Sequence, residues 1–123
     1  MPDRDPSYRE DCLFCRIAAD EIPSDRLLEN DQVMVFRDIN PRAPTHVLAI
    51  PRRHLDSTDD LTETDADAAL LSALFGALRR VARDGGLGNG YRIVTNVGPE
   101  SGQTVFHLHF HLLGGRPFAW PPG

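Results

Sequence analysis

Apolar residues recur along the chain in two rhythms. In the segment 65–84, Ala66, Ala69, Leu70, Ala73, Leu74, Ala77, Leu78 and Val81 fall at steps of three and four. That spacing predicts one long helix with a single apolar stripe. Thr62 or Thr64 can cap its start, and Asp65 and Asp67 suit the positive end of its dipole. Arg79, Arg80 and Arg83 suit the other end, and Gly85-Gly86 stops it. Elsewhere the rhythm is two, or the run is short and rich in branched residues. This predicts strands over 27–29, 33–37, 45–51, 91–97 and 105–113. Residues 12–18 fit a short helical turn ended by Ile22-Pro23-Ser24.

Between these elements lie loops with identifiable causes. Residues 38–44 carry Asn40, Pro41 and Pro44, which disfavour regular structure. Residues 98–103 carry two glycines and read as a hairpin-type loop. The end of the chain, 114–123, holds three prolines and is neither helix nor central strand. The order is a short helix, strands, a long helix and a hairpin, without regular βαβ alternation. That predicts an α+β fold around an antiparallel sheet of about five strands. Residues 11–123 read as one domain, and the polar residues 1–10 as a flexible tail.

Size and charge narrow the function. A chain of 123 residues and 13.7 kDa suits one domain. No run approaches the roughly 20 apolar residues that span a bilayer, and the charged N-terminus is unlike a signal peptide. A cytoplasmic protein with no membrane partner is expected. The net charge of −5 offers no basic field for nucleic acid. All thirteen basic residues are arginine. The absence of lysine from the sequence excludes a Schiff-base lysine and a Walker-type P-loop.

The chemistry must then come from few residues. Three of the five histidines, His107, His109 and His111, alternate with Leu108, Phe110 and Leu112. On a strand the apolar set packs on one face and the imidazoles line the other, with Cβ atoms about 7 Å apart. A solvated strand face or an adventitious metal patch is the bland interpretation. The other is a catalytic row: imidazole has an ordinary pKa near ~6.5, so one ring can attack while another handles a proton. Cys12 and Cys15 form Cys-x-x-Cys. Two buried apolar cysteines, a redox pair without its βαβ context, or half of a zinc site each fit that spacing.

His107-Leu108-His109-Phe110-His111-Leu112-Leu113 resembles the signature of the histidine triad superfamily. Phe36-Arg37-Asp38-Ile39-Asn40-Pro41, Ala43-Pro44-Thr45-His46, Gly102-Gln103, Leu113-Gly114-Gly115-Arg116 and Trp120-Pro121-Pro122-Gly123 extend the resemblance and point to its Hint branch. A third histidine at 111, where the uridylyltransferase branch has glutamine, favours the hydrolase side.

The resemblance implies a homodimer with the sheet continued across it, binding a purine nucleotide. It implies a hydrolase that cleaves purine nucleoside 5′-phosphoramidates and acyl adenylates to the monophosphate. His109 is then the nucleophile, His111 holds a phosphate oxygen, and His46 relays a proton, with His107 completing the triad. Asp38 is expected at the ribose hydroxyls and Ile39 beside the base. Asn96, Gly102, Gln103 and Thr104 are expected around the phosphate or leaving group. Thr104 stands where many Hint proteins have serine, which adds a methyl beside the leaving group. Trp120, in the dimer-associated segment 114–123, is expected to influence leaving-group choice. Resemblance to bacterial triad proteins further implies a structural zinc on Cys12, Cys15, His54 and His107, with no cofactor in the chemistry. A dinucleoside polyphosphate hydrolase or phosphorylase, and a non-catalytic nucleotide-binding module, are the alternatives.

Overall fold

The computed structural model describes residues 4–123. Its elements are α1 (Leu13–Ala18), β1 (Arg26–Glu29), β2 (Val33–Arg37), β3 (Thr45–Pro51), α2 (Asp65–Asp84), β4 (Tyr91–Val94) and β5 (Phe110–Gly114). The five strands form one antiparallel sheet in the order β1-β2-β3-β5-β4. The α+β expectation is met.

Strand parity assigns the two faces. Val33 and Val35 of β2, Val47 and Ala49 of β3, and Phe110 and Leu112 of β5 join Leu70, Leu74, Ala77, Leu78 and Ala82 of α2 in one core. The intervening residues Met34, Phe36, Leu48 and Ile50 face the opposite way, where α1 brings Phe14, Cys15, Ile17 and Ala18. Both faces of β2 and β3 are therefore buried, which explains their unbroken apolar runs. Burying a side chain such as Leu74 or Ile50 stabilises the fold by about 1.5–3 kcal/mol each.

α2 begins and ends where its caps predict. Thr64 accepts the N–H of Asp67, and Gly85 follows the last turn. Its buried face is rotated from the expected stripe. Ala66 and Ala69 are exposed, while Asp67 and Ala82 are buried. The cause lies at Asp67: its carboxylate accepts from Arg53 Nη1 at 2.8 Å and from Thr62 N and Oγ1, both at 2.7 Å. These bonds draw the first turn toward the sheet and hold the Asp67 carboxyl well below the usual carboxylate range.

Two predicted strands are shorter than expected, for one shared reason. β4 ends at Val94, and β5 begins at Phe110. Thr95 Oγ1 donates to the His109 carbonyl at 2.8 Å, and Leu108 N donates to Leu55 O. Side-chain and loop bonds thus replace the ladder ahead of β5. His107 and His109 precede the regular strand, yet the alternation persists: Leu108 joins the α2 core and both imidazoles lie on the α1 face.

The expected tail also departs from expectation. Residues 1–3 lie outside the described residues. The segment after them is docked: Tyr8 Oη donates to Glu21 Oε1 at 2.6 Å, and Ser7 Oγ accepts from His54 N at 2.7 Å. These polar anchors carry no hydropathy signal. Among the described residues no helix is long and apolar enough to cross a membrane.

Candidate active site and metal cluster

Register brings the histidines together. His46 lies opposite Leu113 and Leu48 opposite His111, so His46 and His111 are diagonal neighbours on one face. Their rings meet, with His46 Nε2 2.9 Å from His111 Nδ1. Arg42 N donates to His46 Nδ1 at 3.0 Å. A ring nitrogen that accepts carries no proton, so His46 bears its proton on Nε2 and donates it to His111 Nδ1. His111 in turn bears its proton on Nε2. One backbone N–H thus sets two tautomers in sequence. Asp38 Oδ2 lies 3.4 Å from His46 Nε2, beside this chain.

Asp38, His46 and His111 are close enough for their donor atoms to share an ion. The bond polarity argues for a proton relay instead. A metal on His46 Nε2 would require the proton on Nδ1, where Arg42 N–H already donates.

His109 is set by a different bond. Its Nδ1 donates to the His107 carbonyl at 2.8 Å, which leaves the lone pair on Nε2. Phe14 meets this ring edge-on with centroids 5.1 Å apart, and the His111 ring centroid is 5.0 Å away. Burial pushes His109 below its ordinary pKa, against the raising effect of the His107 carbonyl. Burial also lowers His46, opposed by Asp38. His111 is pushed down to about 4, by burial first and then by the charges of His109 and His46. At neutral pH all three rings are uncharged.

The rings open onto a cleft of about 770 Å³, within the range of small-ligand sites. Asp38, His46, His109, His111 and Thr104 line it together with the apolar Leu13, Phe14, Ile17, Ile22, Phe36 and Leu48. Ile39 lines it as well and is 92% exposed, an apolar side chain held open to solvent. Asp38 Oδ1 accepts from Asn40 N at 2.8 Å, which fixes the carboxylate at the start of the 38–44 loop.

Other expected site residues are placed differently. Gln103 is buried and uses its amide inside the loop: Oε1 accepts from Gly98 N, while Nε2 donates to Asp56 O and Val105 O. It braces the loop before the triad rather than facing the cleft. Gly102 serves a left-handed turn with φ +94°. Neither Asn96 nor Gly102 borders the cleft, and Trp120 is 85% exposed away from it. Sequence reading did not identify the apolar wall from α1 or the Arg42 N–H. The first had a signal in Leu13, Phe14 and Ile17 at helical spacing; a backbone donor has none.

The four expected metal ligands are assembled. Cys12, Cys15, His54 and His107 present one donor atom each, all within 4.8 Å of one another. Cys12 Sγ is 3.3 Å and Cys15 Sγ 3.5 Å from His107 Nδ1, and Cys15 Sγ is 3.4 Å from His54 Nδ1. A tetrahedral zinc separates sulfur and nitrogen ligands by about 3.5 Å, so the donor set fits. The tautomers fit too. His107 Nε2 donates to Pro51 O at 2.8 Å and His54 Nε2 to Asp56 Oδ1 at 2.7 Å, which turns both Nδ1 lone pairs toward the thiols. Burial pushes the Cys15 thiol up to about 12, so a cation is what would make it a thiolate ligand.

Residues 19–118 match the HIT domain. The chain belongs to the HIT domain family. A HIT-like protein of Synechocystis is 49% identical over 114 residues, covering 93% of this chain and 98% of that one. A 14 kDa zinc-binding protein of Zea mays is 44% identical over 111 residues, covering 90% of this chain and 87% of that one. The solved structure of a HIT family hydrolase from Legionella pneumophila is 46% identical with a TM-score of 0.87, covering 92% of this chain and all of that one. The HIT-domain match includes His46, His54, His107, His109 and His111 and begins after Cys12 and Cys15.

Proposed function

We propose that this HIT protein hydrolyses purine nucleoside 5′-phosphoramidates and acyl adenylates to the nucleoside monophosphate. The observation that carries the reading is His109, neutral, with Nδ1 held by the His107 carbonyl and Nε2 left for attack in the cleft. Nε2 attacks the α-phosphorus. The N–P bond to His109 forms, the phosphorus–amine bond breaks, and the departing amine takes a proton from water. The hydroxide left by that water then attacks the phosphorus, the His109 bond breaks, and the monophosphate leaves. In sum one water is consumed: its hydroxyl ends on phosphorus and its proton on the amine.

The remaining groups act by position and charge. His111 Nε2–H donates to a non-bridging oxygen, supported through His46 and Arg42 N. Asp38 accepts from the ribose hydroxyls, and Ile39 with the apolar wall takes the base. Thr104, which lines the cleft, borders the phosphate and leaving group. Zinc on Cys12, Cys15, His54 and His107 ties α1 to the start of the histidine segment and takes no part in the reaction. The chain acts as a homodimer, in which segment 114–123 and Trp120 of one subunit reach the other's leaving group.

Incubation with adenosine 5′-phosphoramidate should release AMP, and rapid quench with intact-mass detection should show an AMP adduct on His109. His109→Ala should abolish both. A wild-type protein without turnover, or a variant with undiminished turnover, would falsify the mechanism. Faster cleavage of diadenosine polyphosphate would shift the assignment to that branch.

A further inference from the structure

We infer that Arg116 is a positioning residue for the histidine relay, holding the 38–44 loop from which Arg42 N–H and Asp38 reach His46. Arg116 Nε and Nη2 both donate to the Arg42 carbonyl, at 3.1 and 3.0 Å. Nη1 donates to Pro117 O at 3.1 Å, and the guanidinium lies 4.2 Å over the Phe118 ring. All three guanidinium nitrogens are therefore engaged, which fixes the fork in direction. Arg42 is thus gripped by its carbonyl while its N–H sets the tautomer of His46.

The loop needs an outside anchor. Pro41 and Pro44 lack backbone donors and flank Arg42. Gly115, next to Arg116, packs so closely that a Cβ there would lie 2.9 Å from Pro44 Cβ. The end of β5 and the loop thus meet at two adjacent residues. A planar fork can place two N–H groups on one carbonyl, and a lysine ammonium cannot reproduce that orientation. Loosening this grip frees the Arg42 peptide, so His46 Nδ1 loses its fixed donor. His46 then populates both tautomers, and His111 Nε2–H is no longer dictated.

The kinetic arm of the test rests on the phosphoramidase reading; the spectroscopic arm does not. In full-length protein labelled with ¹⁵N, long-range imidazole spectra should show single Nε2–H tautomers for His46 and His111. Arg116→Ala should give a mixed tautomer at His46. It should lower kcat about 10-fold or more with KM within about twofold, as expected for misplacement of reacting groups. Arg116→Lys, which keeps the charge and the fold, should fall between the two. Unchanged tautomers in both variants, or kcat within about twofold of wild type for both, would overturn the role of Arg116. Wild-type protein that shows single tautomers but no turnover would instead sink the substrate reading and leave the tautomer comparison to decide Arg116.

Discussion

The main-chain oxygen of His107 accepts Nδ1–H of His109 at 2.8 Å, while the side chain of His107 lies 3.3 Å from Cys12 Sγ and 3.5 Å from Cys15 Sγ. One residue therefore faces the candidate metal cluster with its ring and orients the proposed nucleophile, His109, with its backbone.

Loss of the metal should accordingly be felt at both places. Purified protein should carry one zinc per chain by elemental analysis. Cys15→Ser, or exhaustive chelation, should remove it and lower the thermal midpoint by roughly 10 °C, the shift that a loss of about 3 kcal/mol gives a chain of this size. Turnover should fall with it. Full metal occupancy in Cys15→Ser would contradict the ligand assignment.

The pH response follows from His111. Its folded pKa of about 4 lies below the ordinary value near ~6.5 that it regains on unfolding. Between these values the unfolded chain binds the extra proton. The stabilisation is complete above about 6.5 and is lost as pH falls toward 4. Protonated His111 also cannot accept from His46. The denaturant midpoint should decline as pH falls from about 6.5 toward 4, whereas kcat should hold steady well below pH 6.5 and decline only toward 4; an acidic limb of kcat centred at 6.5 or higher would refute the neutral relay.

Asp67 gives a test remote from the cleft. It is 3% exposed and receives three donors from Arg53 and Thr62. Asp67→Ala leaves those donors without their acceptor, so the urea midpoint should drop with the m-value unchanged. The His109 adduct should still form.

Gly115 has φ +90° against Pro44. Gly115→Ala should cost about 1–2 kcal/mol from backbone conformation alone, and the contact adds to it. Calorimetry should show the loss. An unaltered midpoint would mean that the loop yields freely.

The proposed dimer should sediment at twice the 13.7 kDa chain mass. Trp120→Ala should then raise KM for substrates with bulky leaving groups and leave the yield of His109 adduct unchanged. A monomeric protein with full activity would remove Trp120 from the site.

How far the sequence reaches depends on what each residue's role is written in. Strand parity was legible in β5 because Phe110 and Leu112 enter the α2 core while the alternate residues His111 and Leu113 are only half-buried, and His109 and His111 follow from the same alternation. The four metal-cluster residues were legible from resemblance, since Cys12 and Cys15 alone left three readings open. Gln103 was misplaced because an amide can serve a ligand or a loop, and only its three partners decide which. The sequence shows Asp67 only as a partner of the helix dipole, because its burial at the first turn is set by Arg53, fourteen residues earlier. Arg42 acts through its amide, which every residue but proline possesses.

The placement of α1 has a consequence for any attempt to redesign this protein. Within six residues it turns Cys15 toward the cluster and Leu13, Phe14 and Ile17 toward the cleft. The proposed recognition of a base and the proposed retention of an ion thereby fall on opposite sides of one short helix. A new specificity selected by rotating or replacing this helix would move a thiol out of reach, so base preference can change only by exchanging side chains on a fixed axis.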